Sequence, residues 1–153
     1  MRVETSITIN QPVEEVFDFA AEPDHVAEYF VPVINCRKTS DGPLGKGTTT
    51  MSTIRILGRQ FEVPSETTEW DRPHSFSVRN AGGPMPMTMQ FRFTPDGEGT
   101  RVDLQADLEV ARMLQVASPL IEPVVDRQMR ASLDAMKAIM ESQVPSTAAG
   151  KSG

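Results

Sequence analysis

The feature that most constrains the fold is a long apolar stripe between residues 121 and 140, close to the C-terminus. When successive residues are placed ~100° apart, as in an α-helix, apolar side chains collect on one face of this segment and charged ones on the other. The apolar face carries Ile121, Val125, Met129, Leu133, Met136, Ile139 and Met140. The spacing predicts one helix of about twenty residues, ~30 Å long, which needs an equally long apolar surface to pack against.

The rest of the chain supplies that surface as strands. Residues 3–9 alternate between apolar or hydroxyl side chains and polar ones, and six more alternating segments follow residue 33, separated by turns rich in Gly, Pro and Asp. Between them, residues 12–29 have helical spacing that Pro23 interrupts, which predicts two short helices. The pattern predicts an α+β fold, in which a seven-stranded antiparallel sheet with one buried face is covered by the C-terminal helix.

Length and charge limit the organisation and the partners. A chain of 153 residues has the usual size of one domain, so we predict a single domain over residues 1–144 and a flexible tail over 145–153. The net charge of −6 argues against nucleic acid as a partner. No run approaches the ~18 apolar residues that span a bilayer. We therefore expect a cytoplasmic protein without stable membrane insertion, either a monomer or a homodimer.

Residues that commonly hold cofactors are scarce. Cys36 is the only cysteine and His25 and His74 are the only histidines, so neither a thiolate zinc site nor a catalytic triad is expected. The segment GPLGKGT lacks the spacing of a phosphate-binding loop. We expect no metal and no other cofactor.

The order of elements and several short motifs resemble the helix-grip fold of the birch-pollen-allergen and START-related superfamily, and within it the polyketide cyclase/dehydratase-like family. The resemblance covers about residues 2–142 and rests on QPVEEVFDFAAEPDHVAEYFVPV, LGKGTTT, ILGR, TEWDRP, TPDGEGTRVDL and RQMRASLDAMKAIM. It implies a curved sheet that grips the C-terminal helix around a cavity for an apolar or aromatic ligand. Families of this kind contain both aromatase/cyclases and carriers of lipids or quinones, so function has to be argued from the site.

Strand alternation predicts the side chains that line this cavity. The strand near residue 52 has two competing faces, and a shift of one residue exchanges Ser52 for Arg55 on the inner side. The resemblance adds Phe30, because the family places a large aromatic residue there at one end of the cavity. The predicted ligand-binding residues are Phe30, Ser52, Ile54, Val63, Phe76, Val78, Asn80, Met87, Met89, Phe91, Met129, Leu133 and Met136.

Two of the predicted inner-face residues, Glu69 and Asn80, could take part in chemistry, and so could Arg55 on the competing face of its strand. Glu69 on an inner face would be suited to proton transfer, although it could also lie in solvent at the end of its strand or pair with an arginine such as Arg72. Arg55 would take a similar role if its strand had the other register. Asn80 could donate a hydrogen bond to a ligand carbonyl, or could only begin the turn that follows it.

The stretch PMPMTMQFRF places methionines at positions 85, 87 and 89 of one strand. These flexible side chains could fill gaps in a core, or could form a cavity wall that adapts to different ligands. Three functions are consistent with such a chain: a module that binds a hydrophobic or aromatic small molecule, an aromatase/cyclase that acts on a poly-β-ketone in the same cavity, and a protein-interaction domain.

Overall fold

The computed structural model describes residues 1–56, 58–80, 82–109 and 118–143, with side chains from residue 121 onward in the last range. The predicted tail, residues 145–153, lies outside these ranges. The elements are β1 (Arg2–Ile9), α1 (Val13–Ala21), α2 (Pro23–Tyr29), β2 (Val33–Lys38), β3 (Thr49–Ile56), β4 (Arg59–Asp71), β5 (Ser75–Asn80), β6 (Met87–Asp96), β7 (Gly99–Leu108) and α3 (Ser118–Ser142).

One antiparallel sheet contains all seven strands in the order β1-β7-β6-β5-β4-β3-β2. The predicted architecture is confirmed, including the meander from β2 to β7. Strands β1 and β2 are consecutive in the chain but lie at opposite edges of the sheet. The connection between them is therefore long, and it contains α1, which packs near β6 and β7, and α2, which packs near β2 and α3.

The two short helices begin where the sequence favours it. Helix α1 starts directly after Pro12, and Glu14 and Glu15 in its first turn are favourable near the positive end of the helix dipole. Pro23 does more than interrupt the pattern, because it is the first residue of α2. The side chain of Glu22 caps α2 by accepting a hydrogen bond from the backbone N–H of Asp24 at 3.2 Å.

An aromatic cluster fills one part of the space beneath the sheet. Phe17 of α1 is fully buried and meets three rings of the sheet edge-on, with ring centroids 5.0 Å from Trp70, 5.5 Å from Phe76 and 5.2 Å from Phe93. Such edge-to-face pairs add to the stabilisation from burial itself. Phe17 therefore fastens α1 to β4, β5 and β6.

Replacing Phe17 by alanine is expected to lower the free energy of unfolding by about 3–5 kcal/mol, because the cluster would lose its central ring and keep a cavity. Val31→Ala is the control, since the side chain of Val31 is 53% exposed. Urea denaturation measures both variants. Equal effects of the two substitutions would show that Phe17 does not hold this cluster together.

Helix α3 lies under the sheet with its apolar stripe buried. At its middle, the buried Ser132 hydroxyl donates to the carbonyl of Gln128 at 2.6 Å and accepts from the backbone N–H of Val31 at 3.0 Å. This contact ties the α2–β2 connection to the helix. None of the helices in the described part of the chain is long and apolar enough to cross a membrane.

The C-terminal end of α3 is fastened to the connection between β1 and α1. Glu141 accepts hydrogen bonds from the backbone N–H of Asn10 at 2.8 Å and from the Lys137 ammonium at 2.7 Å. Lys137 also donates to the carbonyl of Thr8 at 2.6 Å. These contacts fix the last turns of the helix against one edge of the sheet.

The hydrogen bonds from Lys137 and from the Asn10 backbone hold the pKa of Glu141 below its usual value. A carboxylate with a lowered folded-state pKa stabilises the fold above its unfolded pKa, and this contribution is lost as the pH falls through the folded value. Because the site is exposed, we expect Glu141→Gln to lower the free energy of unfolding at pH 7 by less than about 1 kcal/mol. The difference should shrink below pH ~4.3, which denaturation at pH 7 and pH 3 measures. An unchanged difference would contradict a role for the charge.

Candidate functional site

A cavity of about 170 Å³ lies between the concave face of the sheet, α2 and the N-terminal half of α3. For comparison, an engineered apolar cavity of ~150 Å³ binds benzene. Strands β2 to β6 form its curved wall, Tyr29 and Phe30 stand where α2 ends, and Val125, Gln128 and Met129 contribute from α3. The sheet and the helix thus leave a space between them large enough for a ring-sized ligand.

All but two of the predicted ligand-binding residues line this cavity, while their contact with a ligand stays a prediction. Those lining it are Phe30, Ser52, Ile54, Val63, Phe76, Val78, Asn80, Met87, Met89, Phe91 and Met129. The methionines of the PMPMTMQFRF stretch therefore stand in the cavity wall. Strand β6 begins only at Met87, directly after Pro86, which cannot donate a backbone hydrogen bond.

Leu133 and Met136 are the two exceptions. Both are buried in the hydrophobic core and neither lines the cavity. Their predicted place in the cavity is wrong because helical periodicity identifies a buried face and leaves open which part of it meets a cavity. Only the first turns of the α3 stripe border the cavity, and the later turns complete the core.

The register of β3 places Ser52 inside and Arg55 outside. Ser52 pairs with Cys36 of β2 and Val63 of β4, and all three line the cavity. Arg55 has an exposed side chain, and its backbone N–H donates to the carbonyl of Pro32 at 2.9 Å. The alternative register, and with it a guanidinium in the cavity, is wrong.

Glu69 also lies outside the cavity, contrary to the sequence prediction. The pairing of β4 with β5 shifts between Thr67 and Glu69, which is the signature of a β-bulge. The extra residue reverses the alternation, so that Thr67 and Trp70 line the cavity. Glu69 instead accepts a hydrogen bond from the Ser77 hydroxyl at 3.0 Å. The geometry therefore gives no support for Glu69 as a catalytic acid or base.

Asn80 has the structural role that the sequence allowed, and its contact with a ligand stays a prediction. Its side-chain oxygen accepts a hydrogen bond from the backbone N–H of Met87 at 2.7 Å, which closes the connection between β5 and β6. Its NH₂ group has no hydrogen-bond partner among the residues that the structure describes, and the residue lines the cavity. One half of the carboxamide is structural, and the other half has no partner within the described ranges.

Asn80→Ala is expected to lower the free energy of unfolding by about 1–3 kcal/mol, because the Met87 N–H would lose its acceptor. Ser65→Ala is the control, because the Ser65 hydroxyl has no hydrogen-bond partner among the residues that the structure describes, so this substitution should change stability much less. Thermal and urea denaturation of the two variants test this. If the two substitutions were equally destabilising, the hydrogen bond to Met87 would not support the turn.

The cavity wall contains no Asp, Glu, Lys, Arg or His among the residues that the structure describes. Tyr29 lines the wall, but its hydroxyl donates to the carbonyl of Ala20 at 2.7 Å and burial raises its pKa far above the usual value, so it stays neutral. The polar side-chain atoms that remain belong to Cys36, to hydroxyl side chains, to the indole N–H of Trp70 and to the carboxamides of Asn80 and Gln128. No group of three potential metal ligands occurs in the described ranges.

Several lining residues were missed by the sequence prediction. Leu44 and Thr48 lie in the connection between β2 and β3, where strand alternation gives no information. Gln128 follows Val125 by three residues on α3, a helical spacing that would have placed it beside the apolar stripe. The polarity of Gln128 alone excluded it from the predicted set.

Residues 1–141 match the model of the family described as polyketide cyclase/dehydrase and lipid transport. The chain belongs to this family. Among curated proteins, none matches the sequence.

Several solved structures share the fold. A START superfamily protein from Mycobacterium smegmatis is 13% identical with a TM-score of 0.78, covering 92% of this chain and 97% of its own. The ZhuI aromatase/cyclase from Streptomyces sp. R1128 is 21% identical with a TM-score of 0.77, covering 98% of both chains. The protein TTHA0849 from Thermus thermophilus is 18% identical with a TM-score of 0.77, covering 94% and 99%. At these identities the comparisons establish the helix-grip fold.

Proposed function

We propose that the protein binds an uncharged hydrophobic or aromatic small molecule, of lipid, quinone or polyketide type, in the cavity between sheet and α3. One observation carries this proposal: the described wall combines apolar side chains with neutral polar groups and has no ionic side chain. An apolar cavity with a few polar groups is typical of small-molecule sites, in which burial supplies affinity and hydrogen bonds supply orientation.

The neutral wall excludes ligands that would bury a charge. An ionised carboxylate or phosphate loses its hydration on entering such a cavity, and this loss is compensated only by a paired charge or several hydrogen bonds. No lysine, arginine or histidine of the described wall offers that pairing. A charged group on the ligand would therefore have to stay outside in water.

The size of the cavity favours a small or adaptable ligand. Sites for drug-sized molecules usually enclose ~300–1,000 Å³, which is more than the 170 Å³ present here. Met85, Met87, Met89 and Met129 line the wall from two sides. Methionine side chains are flexible and polarizable, so they can repack around ligands of different shape. This supports binding of one- or two-ring compounds, with room for larger ones after repacking.

A second candidate, an aromatase/cyclase, is favoured by the family description and by the fold shared with the ZhuI aromatase/cyclase. Holding a poly-β-ketone in a reactive conformation can supply much of the rate, and the Asn80 NH₂ group could stabilise an enolate oxygen. General acid–base catalysis needs a titratable group close to the reacting atoms. Because Glu69 and Arg55 lie outside the wall, the cavity supports binding better than proton transfer.

A tryptophan placed in the cavity tests the proposal. Ile54→Trp would fill the space from β3, whereas Met51→Trp adds the same ring on the opposite face of the same strand, outside the cavity. The probe is uncharged N-phenyl-1-naphthylamine, whose fluorescence rises in apolar surroundings. Native mass spectrometry of the purified protein searches in parallel for a ligand that co-purifies.

We expect the wild type and Met51→Trp to bind the probe with similar affinity and Ile54→Trp to bind it at least about tenfold more weakly, a loss of ~1.4 kcal/mol. Circular dichroism and thermal denaturation confirm that both variants fold. Equal binding by both variants would place the probe elsewhere and would overturn the proposal, as would absence of binding to the wild type.

A further inference from the structure

Three polar residues form a straight row across the cavity wall. In the register of the sheet, Thr50 of β3 pairs with Ser65 of β4, and Ser65 pairs with Asn80 of β5. All three line the cavity. Thr67 lies two residues beyond Ser65 on the same face of β4 and lines the cavity as well. We call the three aligned residues together with Thr67 the polar row.

The polar row carries hydrogen-bonding groups that the protein itself does not use. Among the described residues, no hydrogen-bond partner exists for the hydroxyls of Thr50, Ser65 and Thr67, or for the NH₂ group of Asn80. Thr67 is only 9% exposed, so its hydroxyl has little access to bulk solvent. Buried polar groups are nearly always hydrogen-bonded in proteins, to protein, water or ligand. The row is therefore a set of donors and acceptors available to a molecule in the cavity.

Toward β6, the wall beside the polar row is apolar. Asn80 pairs with Met87 of β6, Thr67 pairs with Val78 of β5, and Val78 pairs with Met89. Met129 of α3 lines the cavity too. A molecule in this cavity therefore meets hydroxyls toward β3 and β4 and thioethers toward β6. A ligand whose own polar atoms are collected on one edge can satisfy the row and place its apolar part against the methionines of β6.

The spacing of the row matches a particular arrangement of oxygen atoms. Neighbouring strands are about 4.8 Å apart, which is close to the separation of the two oxygens of a meta-dihydroxylated ring. Hydroxyl groups both donate and accept, so Ser65 with Thr50 or Asn80 can pair with phenolic or carbonyl oxygens. If a ligand carried its two oxygens on opposite edges of the ring system, one of the oxygens would face the methionines instead.

We propose that the polar row is an orienting subsite, which selects uncharged ring compounds that carry two oxygen atoms on one edge in meta relation. This inference rests on the proposed function, because it specifies the ligand class of the same cavity. In the bound state Ser65 contacts one or both ligand oxygens, Thr50 and Asn80 contact the flanking positions, and the apolar rings lie against Met87, Met89 and Met129.

Three naphthalene compounds of similar size test the subsite. They are 1,3-dihydroxynaphthalene, with its oxygens in meta relation on one ring, 1,5-dihydroxynaphthalene, an isomer with its oxygens on opposite edges, and naphthalene, which has none. Their affinities for the wild type are measured at pH 7, where all three are uncharged, by displacement of N-phenyl-1-naphthylamine. We expect the 1,3 isomer to bind roughly three- to tenfold more tightly than the 1,5 isomer, since each net hydrogen bond contributes modestly.

Variants of the row assign this preference to its residues. Ser65→Ala combined with Thr50→Val should remove the preference for the 1,3 isomer and leave the affinity for naphthalene within about twofold. Thr94→Val is the matched control, because Thr94 of β6 is exposed and lies outside the cavity. It should leave all three affinities unchanged. Thermal denaturation verifies folding, and Ser65→Ala alone serves if the double variant does not fold.

The outcomes separate this inference from the proposed function. If no compound binds the wild type, the proposed function fails and the subsite fails with it. If all three bind equally, or if the row variants keep the preference, binding in the cavity stands and the orienting subsite is refuted. A preference that disappears in the row variants and persists in Thr94→Val supports the subsite.

Discussion

The structure depends on how unevenly α3 covers the concave face of one curved sheet. The later turns of the helix, with Leu133, Met136 and Met140, are buried in the core, and the Glu141 contacts fix that end to the β1–α1 connection. The aromatic cluster around Phe17 fills another part of the space. Along the first half of α3, Val125 and Met129 instead border the cavity. Among the residues that the structure describes, the cavity thus lies between the sheet's apolar face and the part of α3 that precedes its closely packed later turns.

Most of this arrangement could be predicted from the sequence because it follows from periodicity. Alternation along β3, β5 and β6 identified Ile54, Val78 and Met89 as lining residues, and the 3.6-residue spacing identified the buried face of α3. Prediction failed where a bulge breaks the alternation of a strand, and where the position of a residue along the helix axis decides whether it borders the cavity. The bulge in β4 reversed the side of Glu69, and periodicity could not show which turns of α3 border the cavity. Residues in the connections between strands, such as Leu44, follow no periodic pattern, so the sequence could not identify them as lining residues.

The chemical character of the cavity follows from these same details. The bulge turns Glu69 outward and the β3 register turns Arg55 outward, so both candidate ionic groups are absent from the wall that the structure describes. What remains is a neutral surface with hydroxyls on β3 and β4 and methionines on β6. In a family whose description includes both cyclisation and lipid transport, this composition favours recognition of an uncharged ligand by burial and hydrogen bonds over acid–base chemistry.

The central claim, that the cavity admits no charged group, is tested most directly by a matched pair of compounds small enough to be enclosed. The dissociation constants of methyl 2-naphthoate and of the 2-naphthoate anion are measured at pH 7 by isothermal titration calorimetry. Because burying an unpaired carboxylate is strongly unfavourable, the ester should bind at least about tenfold more tightly, a difference of ~1.4 kcal/mol. Binding of the anion as tight as that of the ester would contradict the account.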